Sequence, residues 1–193
     1  MREHATPFPL FEEWYQDALA LPVANPAAMV LATVGQKGTP STRIVLLKEW
    51  DESGFVFFTN YGSRKAGEMD ANPQASLLFF WDQLGKQVRV EGNVERIPAE
   101  QSRHYFQSRP LESQWGAWAS RQSQELPDRS VLEGRFSEFQ KTYPAQVPLP
   151  DFWGGYRLNP HRFEFWESAA HRLHHRLVFE RQAQGWSSHL LYP

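Results

Sequence analysis

Cysteine is absent from the 193 residues, which excludes disulfides, thiolate metal sites and a cysteine nucleophile and leaves the redox compartment open. Long apolar runs are missing too. No stretch approaches the roughly 18 residues of a membrane-spanning helix, and the first twenty, with Glu3, Glu12, Glu13 and Asp17, lack the apolar run of a signal peptide. The chain is therefore expected to be soluble and cytoplasmic, without a membrane partner. Nor is there an excess of one charge. With 20 basic and 22 acidic residues the net charge is −2, so the overall field gives no case for a nucleic-acid partner. Signatures of hydrolysis are equally scarce: no GxSxG elbow, HExxH pair, P-loop or paired-carboxylate motif occurs.

What is present suffices for one domain over residues 1–193. At this length a fold buries roughly 70% of the surface its unfolded chain exposes, and 41% hydrophobic residues, including 8 Trp, 6 Tyr and 14 Phe, can fill one core. Arginine outnumbers lysine by 15 to 5. Its planar fork suits phosphate or carboxylate, although arginine-rich codon usage gives the same ratio.

After an N-terminal helix region at 1–24, short Val/Ile/Leu/Phe-rich runs punctuated by Gly, Asp, Asn and Ser predict strands at 27–34, 41–50, 54–60, 74–82 and 86–97. Helices are expected at 63–71, capped by Ser63, at 98–107, and at 130–143, opened by a Ser130/Glu133 capping box. Pro144, Pro148 and Pro150 enforce an extended linker. Four more strand-like runs follow at 152–158, 161–167, 173–181 and 186–192. Nine short strands with three or four inserted helices argue for a mainly β, antiparallel barrel or sandwich and against a parallel doubly wound sheet.

Four constellations could carry chemistry. In Thr59-Asn60-Tyr61-Gly62-Ser63-Arg64-Lys65 a strand ends and a helix begins with two cations in its first turn, where free N–H groups and the helix dipole already favour an anion. Arg64 and Lys65 make most sense there with a phosphate between them; a solvated helix start is the bland reading. In Arg43-Ile44-Val45-Leu46-Leu47-Lys48 the two terminal cations, five positions apart, are expected on opposite sides of a strand. Wet strand ends would look the same. Tyr105, Arg109 and Ser113 offer two hydroxyls and a guanidinium at spacing four, suited to a dianion, and Gln122-Ser123 adds donors that could equally cap the segment that follows. Finally, His171-Arg172-Leu173-His174-His175-Arg176, if a strand, sets Arg172, His174 and Arg176 on one face. Such a face suits an anion or an electron-rich ring, or is a charged edge strand; interleaved arginines argue against a metal.

In order along the chain, RIVLLK (43–48), FFTNYGSRK (57–65), KQVRVEG (86–92), YFQSRPLESQWGAW (105–118), RQSQ (121–124), VPLPDFWGGYRL (147–158), FEFW (163–166) and HRLHHR (171–176) resemble the pyridoxamine (pyridoxine) 5′-phosphate oxidases over about residues 10–193. The resemblance implies an FMN-binding split barrel and a homodimer with FMN at the subunit interface. It implies that Arg43, Ile44, Val45, Leu46, Leu47, Lys48, Phe58, Thr59, Arg64, Lys65, Gln87, Gln122, Ser123, Trp166 and Arg176 bind the cofactor. Lys48, Tyr105, Arg109 and Ser113 would hold the substrate phosphate, and Arg172 and His174, the catalytic pair, would meet the pyridine ring. The strands at 147–193 would serve dimerisation and substrate binding. The implied reaction transfers a hydride from C4′ of pyridoxamine or pyridoxine 5′-phosphate to the flavin, with dioxygen as acceptor, giving pyridoxal 5′-phosphate, hydrogen peroxide and, from the amine, ammonia. A related oxidase acting on a phenazine-type aromatic would keep the FMN residues but lose the substrate-phosphate set; a non-catalytic flavin or vitamin B6 phosphate carrier would bind without peroxide formation. The chain departs from the family's usual pattern in starting almost at its first helix, in Ser168-Ala169-Ala170, and in His175 where an acidic residue is common.

Overall fold

Period-two alternation dominates the chain beyond residue 27, and in the computed structural model, which describes residues 4–22 and 25–193, it produces nine antiparallel strands. Residues 1–3 and 23–24 of the expected N-terminal helix region lie outside the described residues. The strands are β1 (Ala28–Val34), β2 (Pro40–Leu46), β3 (Glu49–Asp51), β4 (Gly54–Asn60), β5 (Gln74–Trp81), β6 (Lys86–Arg96), β7 (Trp153–Glu167), β8 (His175–Arg181) and β9 (Trp186–Leu190). Five helices accompany them: α1 (Phe8–Ala20), α2 (Arg64–Ala71), α3 (Ala99–Ser108), α4 (Leu111–Ala119) and α5 (Arg129–Thr142). The sheet runs β2-β1-β5-β6-β7-β4-β3, with β8 and β9 added beside β7. This is an antiparallel split barrel, as expected.

The split comes from β7, which is long enough to serve two neighbours on one side. Its first half pairs with β4 (Trp153 opposite Asn60), its second with β8 (Trp166 opposite Arg176), while β6 runs along the other side of both. The sequence reading divided this strand at Pro160. The structure keeps it continuous: the pairing with β6 shifts register between Glu91 and Gly92, and Pro160 sits at that irregularity, opposite Gly92.

Other boundaries differ for equally local reasons. The expected strand 41–50 breaks into β2 and β3, because Leu47 N–H turns to the Ala27 carbonyl and Lys48 N–H to that of Val56. Helix α4 was not expected as a separate helix. Pro110 disfavours helical backbone at Arg109, which is extended (φ −76°, ψ 151°), and then starts a new helix. Helix α5 is capped by Asp128, whose carboxylate accepts from Ser130 N–H at 2.8 Å, in place of the Ser130/Glu133 box. Ser63 caps α2 as expected, accepting from Ala66 N–H.

The main core fills the barrel and is closed by α1, which buries Phe8, Leu10, Phe11, Trp14 and Ala18. Phe11 sits at its centre, in edge contact with Trp50 and Phe55 at 4.9 Å and Phe79 at 5.2 Å between ring centroids. A second cluster, built on Phe106, Trp115, Val147 and Trp153, carries α3, α4 and α5 on the barrel's flank. No helix among the described residues is long and apolar enough to cross a membrane.

Truncating Phe11 removes a ring buried on all sides. Phe11→Ala is expected to cost roughly 3–5 kcal/mol in urea-unfolding free energy; a loss under about 1 kcal/mol would contradict its central place in the core.

Candidate active site

Between the barrel and the helical flank lies a cleft of about 860 Å³. Strand β2 and the segment after it bring Arg43, Ile44, Val45, Leu46 and Lys48 to it; β4 brings Phe58, Thr59 and Asn60, and the first turn of α2 brings Lys65. Tyr105, Arg109, Ser113, Gln122 and Trp153 complete the wall. The lining holds four cations, Arg43, Lys48, Lys65 and Arg109, and no carboxylate. Arg43 and Lys48, expected on opposite sides, line the same cleft, because the strand ends at Leu46 and the chain turns before Lys48.

Lys65 reaches across to the loop after α4, donating to Gln122 Oε1 at 2.8 Å and to Thr59 Oγ1 at 3.1 Å. Its partners are neutral, and burial, followed by the nearby charge of Arg43, pushes its ammonium below the usual lysine range. Arg109 is more isolated. Its Nη1 is buried without a hydrogen-bond partner, its guanidinium lies over the Trp153 ring at 4.8 Å, and burial lowers its pKa. A buried guanidinium nitrogen that donates to nothing is costly, and an anion held between it and the hydroxyls of Tyr105 and Ser113 would satisfy it. Tyr105, Phe58 and Trp153 stack in near-parallel planes, with centroids 4.0 Å apart for Tyr105 and Phe58 and 5.3 Å for Phe58 and Trp153. That stack gives the cleft a flat aromatic wall.

Behind the cleft, Glu68 of α2 is buried against β1 and β2. It accepts from Thr33 Oγ1 at 2.5 Å and Ser41 Oγ at 2.6 Å, and pairs with Arg64 at 2.8 Å and Arg43 at 3.2 Å. Arg64 and Lys65 therefore diverge, where the sequence suggested one anion between them. Lys65 enters the cleft, while Arg64 lies over Glu68 beside Gly35, Lys37 and Thr39.

A second group of expected site residues stands outside this cleft. Gln87, Trp166 and Arg176 are directly opposite one another across β6, β7 and β8, forming one transverse row. His174 packs on Trp166 at 4.6 Å between ring centroids, and its Nδ1 accepts from Ala169 N–H at 3.2 Å. With Nδ1 accepting, a neutral ring carries its proton on Nε2. Arg172 and His174 are not on a strand as expected, because β8 begins only at His175. Residues 170–172 form a single 3₁₀ turn, with His171 at φ 58° and Arg172 at φ 62°. Ser123, in the loop beside Gln122, is the third non-glycine residue in this left-handed region, at φ 69°. Such backbone is strained by about 1–3 kcal/mol per residue, and here it falls in two loops that carry candidate residues.

Leu47 is buried in the main core and does not line the cleft; nor do Ser123, Gln87, Trp166, Arg172, His174 and Arg176. Sequence reasoning missed Trp153 and Asn60 as lining residues. Its available signal was WGG: a Cβ at Gly154 would stand 2.1 Å from the Tyr61 hydroxyl, so the glycine is needed where the chain after the strand-end turn passes close to β7.

Comparison with known proteins places these residues in context. Residues 15–143 match the family described as pyridoxamine 5′-phosphate oxidase, and residues 153–193 match the pyridoxine 5′-phosphate oxidase C-terminal dimerisation region. The chain is 54% identical over 190 residues to the pyridoxine/pyridoxamine 5′-phosphate oxidase of Bordetella pertussis, covering 98% of this chain and 90% of that one. It is 51% identical over 187 residues to the protein of the same name from Thermosynechococcus vestitus, with 97% and 89% covered. Among solved structures, PhzG from Burkholderia lata, in complex with tetrahydrophenazine-1-carboxylic acid, matches with a TM-score of 0.94 at 32% identity, over 98% of this chain and 94% of its own. A pyridoxamine 5′-phosphate oxidase-related, FMN-binding protein from Nostoc punctiforme shares the fold, with a TM-score of 0.78 at 18% identity over 97% of both chains.

The Glu68 cluster makes a prediction about acid stability. Burial pushes its carboxyl up, but hydrogen bonds from Ser41, Thr33 and Arg64 outweigh that and hold it at about 2, against 4.5. A group depressed in the folded state stabilises the fold above its unfolded pKa and loses that contribution as pH falls towards the folded one. The difference corresponds to roughly 3 kcal/mol. Urea-unfolding free energy is expected to fall by about that much between about pH 5 and pH 2 in the natural chain, and this part of the decline should vanish in Glu68→Gln. Parallel curves for the two proteins would refute the assignment.

Proposed function

The chain belongs to the pyridoxamine 5′-phosphate oxidase family, and we propose that it is an FMN-dependent oxidase converting pyridoxamine or pyridoxine 5′-phosphate to pyridoxal 5′-phosphate with dioxygen as acceptor. It works as a homodimer, to which the C-terminal dimerisation region contributes, and we place it in the cytoplasm. One observation carries the phosphate substrate: the buried, unpartnered Nη1 of Arg109, between the hydroxyl-bearing Tyr105 and Ser113, in a cleft that holds four cations and no carboxylate. A phenazine-type substrate without a phosphate would leave this set with less to do.

The residues present fit FMN. Lys65, Thr59 and Gln122 already form one connected polar group on the cleft wall, suited to a phosphate, with Arg43 also in the lining. Ile44, Val45, Leu46, Lys48 and the Phe58 ring would border the flavin. Gln87, Trp166 and Arg176 stand on a different face, and two copies of the chain, each giving its row to the other's cleft, would complete two equivalent sites. When bound, FMN supplies the redox chemistry, taking a hydride from C4′ of the substrate and passing the electrons to dioxygen to give hydrogen peroxide.

The chain's own part is binding and orientation. Arg109, Lys48, Tyr105 and Ser113 hold the substrate phosphate by charge-assisted hydrogen bonds. His174, donating from Nε2, and Arg172 fix the pyridine ring and stabilise charge on its polar atoms, and neither acts as a strong base. Held at both ends, the substrate presents C4′ in one orientation, and orientation of this kind supplies much of the acceleration.

Aerobic incubation of the purified chain and FMN with pyridoxamine 5′-phosphate should yield aldehyde and hydrogen peroxide in equal amounts; aldehyde-free, peroxide-free mixtures with FMN bound would leave only a carrier. Arg109→Ala is expected to raise KM for the phosphorylated substrate about tenfold or more while leaving FMN bound, and an unchanged KM would remove Arg109 from the phosphate site. Arg172→Ala and His174→Ala, made separately, should keep FMN and lose most turnover, and near-normal turnover in both would refute their role.

A further inference from the structure

Alternation along β7 sends Phe163 and Phe165 into the core and Arg162, Glu164 and Trp166 to the opposite face. On that face Glu164 is only 3% exposed. Burying a carboxylate is unfavourable unless it is fully paired, and here three arginines surround it. Oε1 accepts from Arg176 Nε at 2.9 Å and lies 2.8 Å from Arg176 Nη2; Oε2 accepts from Arg89 Nη2 at 2.9 Å and Arg162 Nη2 at 3.3 Å. Burial would raise its pKa, but these cations, Arg176 first, hold it below the usual carboxylate range.

The contacts on Arg176 are unequal to those on the other two. Glu164 takes its Nε and Nη2 together, and the Tyr192 carbonyl accepts from Nη1 at 2.8 Å. Of five guanidinium N–H groups, hydrogen bonds occupy the one on Nε and one on Nη1, while Nη2 makes only an ion-pair contact with Glu164, so both terminal nitrogens keep an N–H free. A free arginine side chain loses rotamer entropy when a ligand orders it. This one is already ordered. It also stands directly opposite Trp166, two residues along β7 from Glu164.

We propose that Glu164 is a positioning residue for the cofactor: it holds Arg176 in one rotamer before FMN arrives, so that the free N–H groups on its terminal nitrogens are presented ready-made. The inference rests on the reading that Arg176 contacts FMN. Preorganisation of this kind acts on affinity by removing an ordering cost rather than by adding a contact.

The test is FMN titration of the dimeric apoprotein, followed by flavin fluorescence, for Glu164→Gln, Arg176→Ala and the double variant, with Arg89→Ala as control. Glu164→Gln is expected to weaken FMN binding about tenfold or more, and to change it less than about twofold once Arg176 is alanine. Arg89→Ala removes a guanidinium from the same carboxylate without touching Arg176 and should alter affinity less than about threefold. Unchanged affinity in Glu164→Gln, or losses that add in the double variant, would overturn the proposal, since a general effect on the fold does not depend on Arg176. If Glu164→Gln fails to fold, Glu164→Asp takes its place in the cycle, with a smaller loss that must also vanish beside Arg176→Ala. Normal FMN binding in Arg176→Ala alone would instead show that Arg176 does not meet the cofactor, and would remove the premise.

Discussion

A cleft that gathers Arg43, Lys48, Lys65 and Arg109 without a single carboxylate among its lining residues is electrostatically incomplete, and the account turns on that imbalance. Two buried acids are committed elsewhere. Glu68 is held behind the cleft by Thr33, Ser41, Arg43 and Arg64, and Glu164 is enclosed by Arg89, Arg162 and Arg176. Lys65 has only neutral hydrogen-bond partners and Arg109 Nη1 has none, and burial lowers the pKa of both. An arriving dianion reverses this, because an opposite charge favours the charged form of each cation. The resting cleft is thus suited to an anion.

The fold produces the imbalance through two devices. Pro110 ends α3 and starts α4, so Arg109 sits in the extended corner between helices while Ser113 follows one turn later. The long β7 puts Trp153 at the cleft and, at its other end, Trp166 in the row with Gln87 and Arg176. One strand therefore spans both halves of the site. A single chain keeps those halves apart; in the proposed dimer one chain's row would meet the other chain's cleft.

Much of this was legible in the sequence because local patterns carried it. Short apolar runs between turn residues marked most of the strands, though 41–50 divided into two and 152–167 joined into one, and Ser63 marked its helix. The failures are those of long-range context. Pro160 read as a break because nothing local reveals that Gly92 of β6 will face it at a register shift. The run 171–176 read as a strand face because the left-handed backbone of His171 and Arg172, costly for any residue but glycine, has no signature in their side chains. Candidate cations were found by type and spacing, but their directions were not: Arg64 leaves the cleft for Glu68, a partner that helix spacing alone allowed but did not single out. Glu164 went unnoticed for a related reason. Its three arginines come from β6, β7 and β8, and only pairing brings them together.

The central claim, that two anion cradles and two subunits make one site, is tested most directly by a crystal structure of the chain with FMN and pyridoxal 5′-phosphate. The account predicts the flavin phosphate on Lys65, the second phosphate on Arg109, and both rings covered by Trp166, Arg172 and His174 of the other subunit. A flavin lodged wholly within one chain, or a second phosphate away from Arg109, would contradict it.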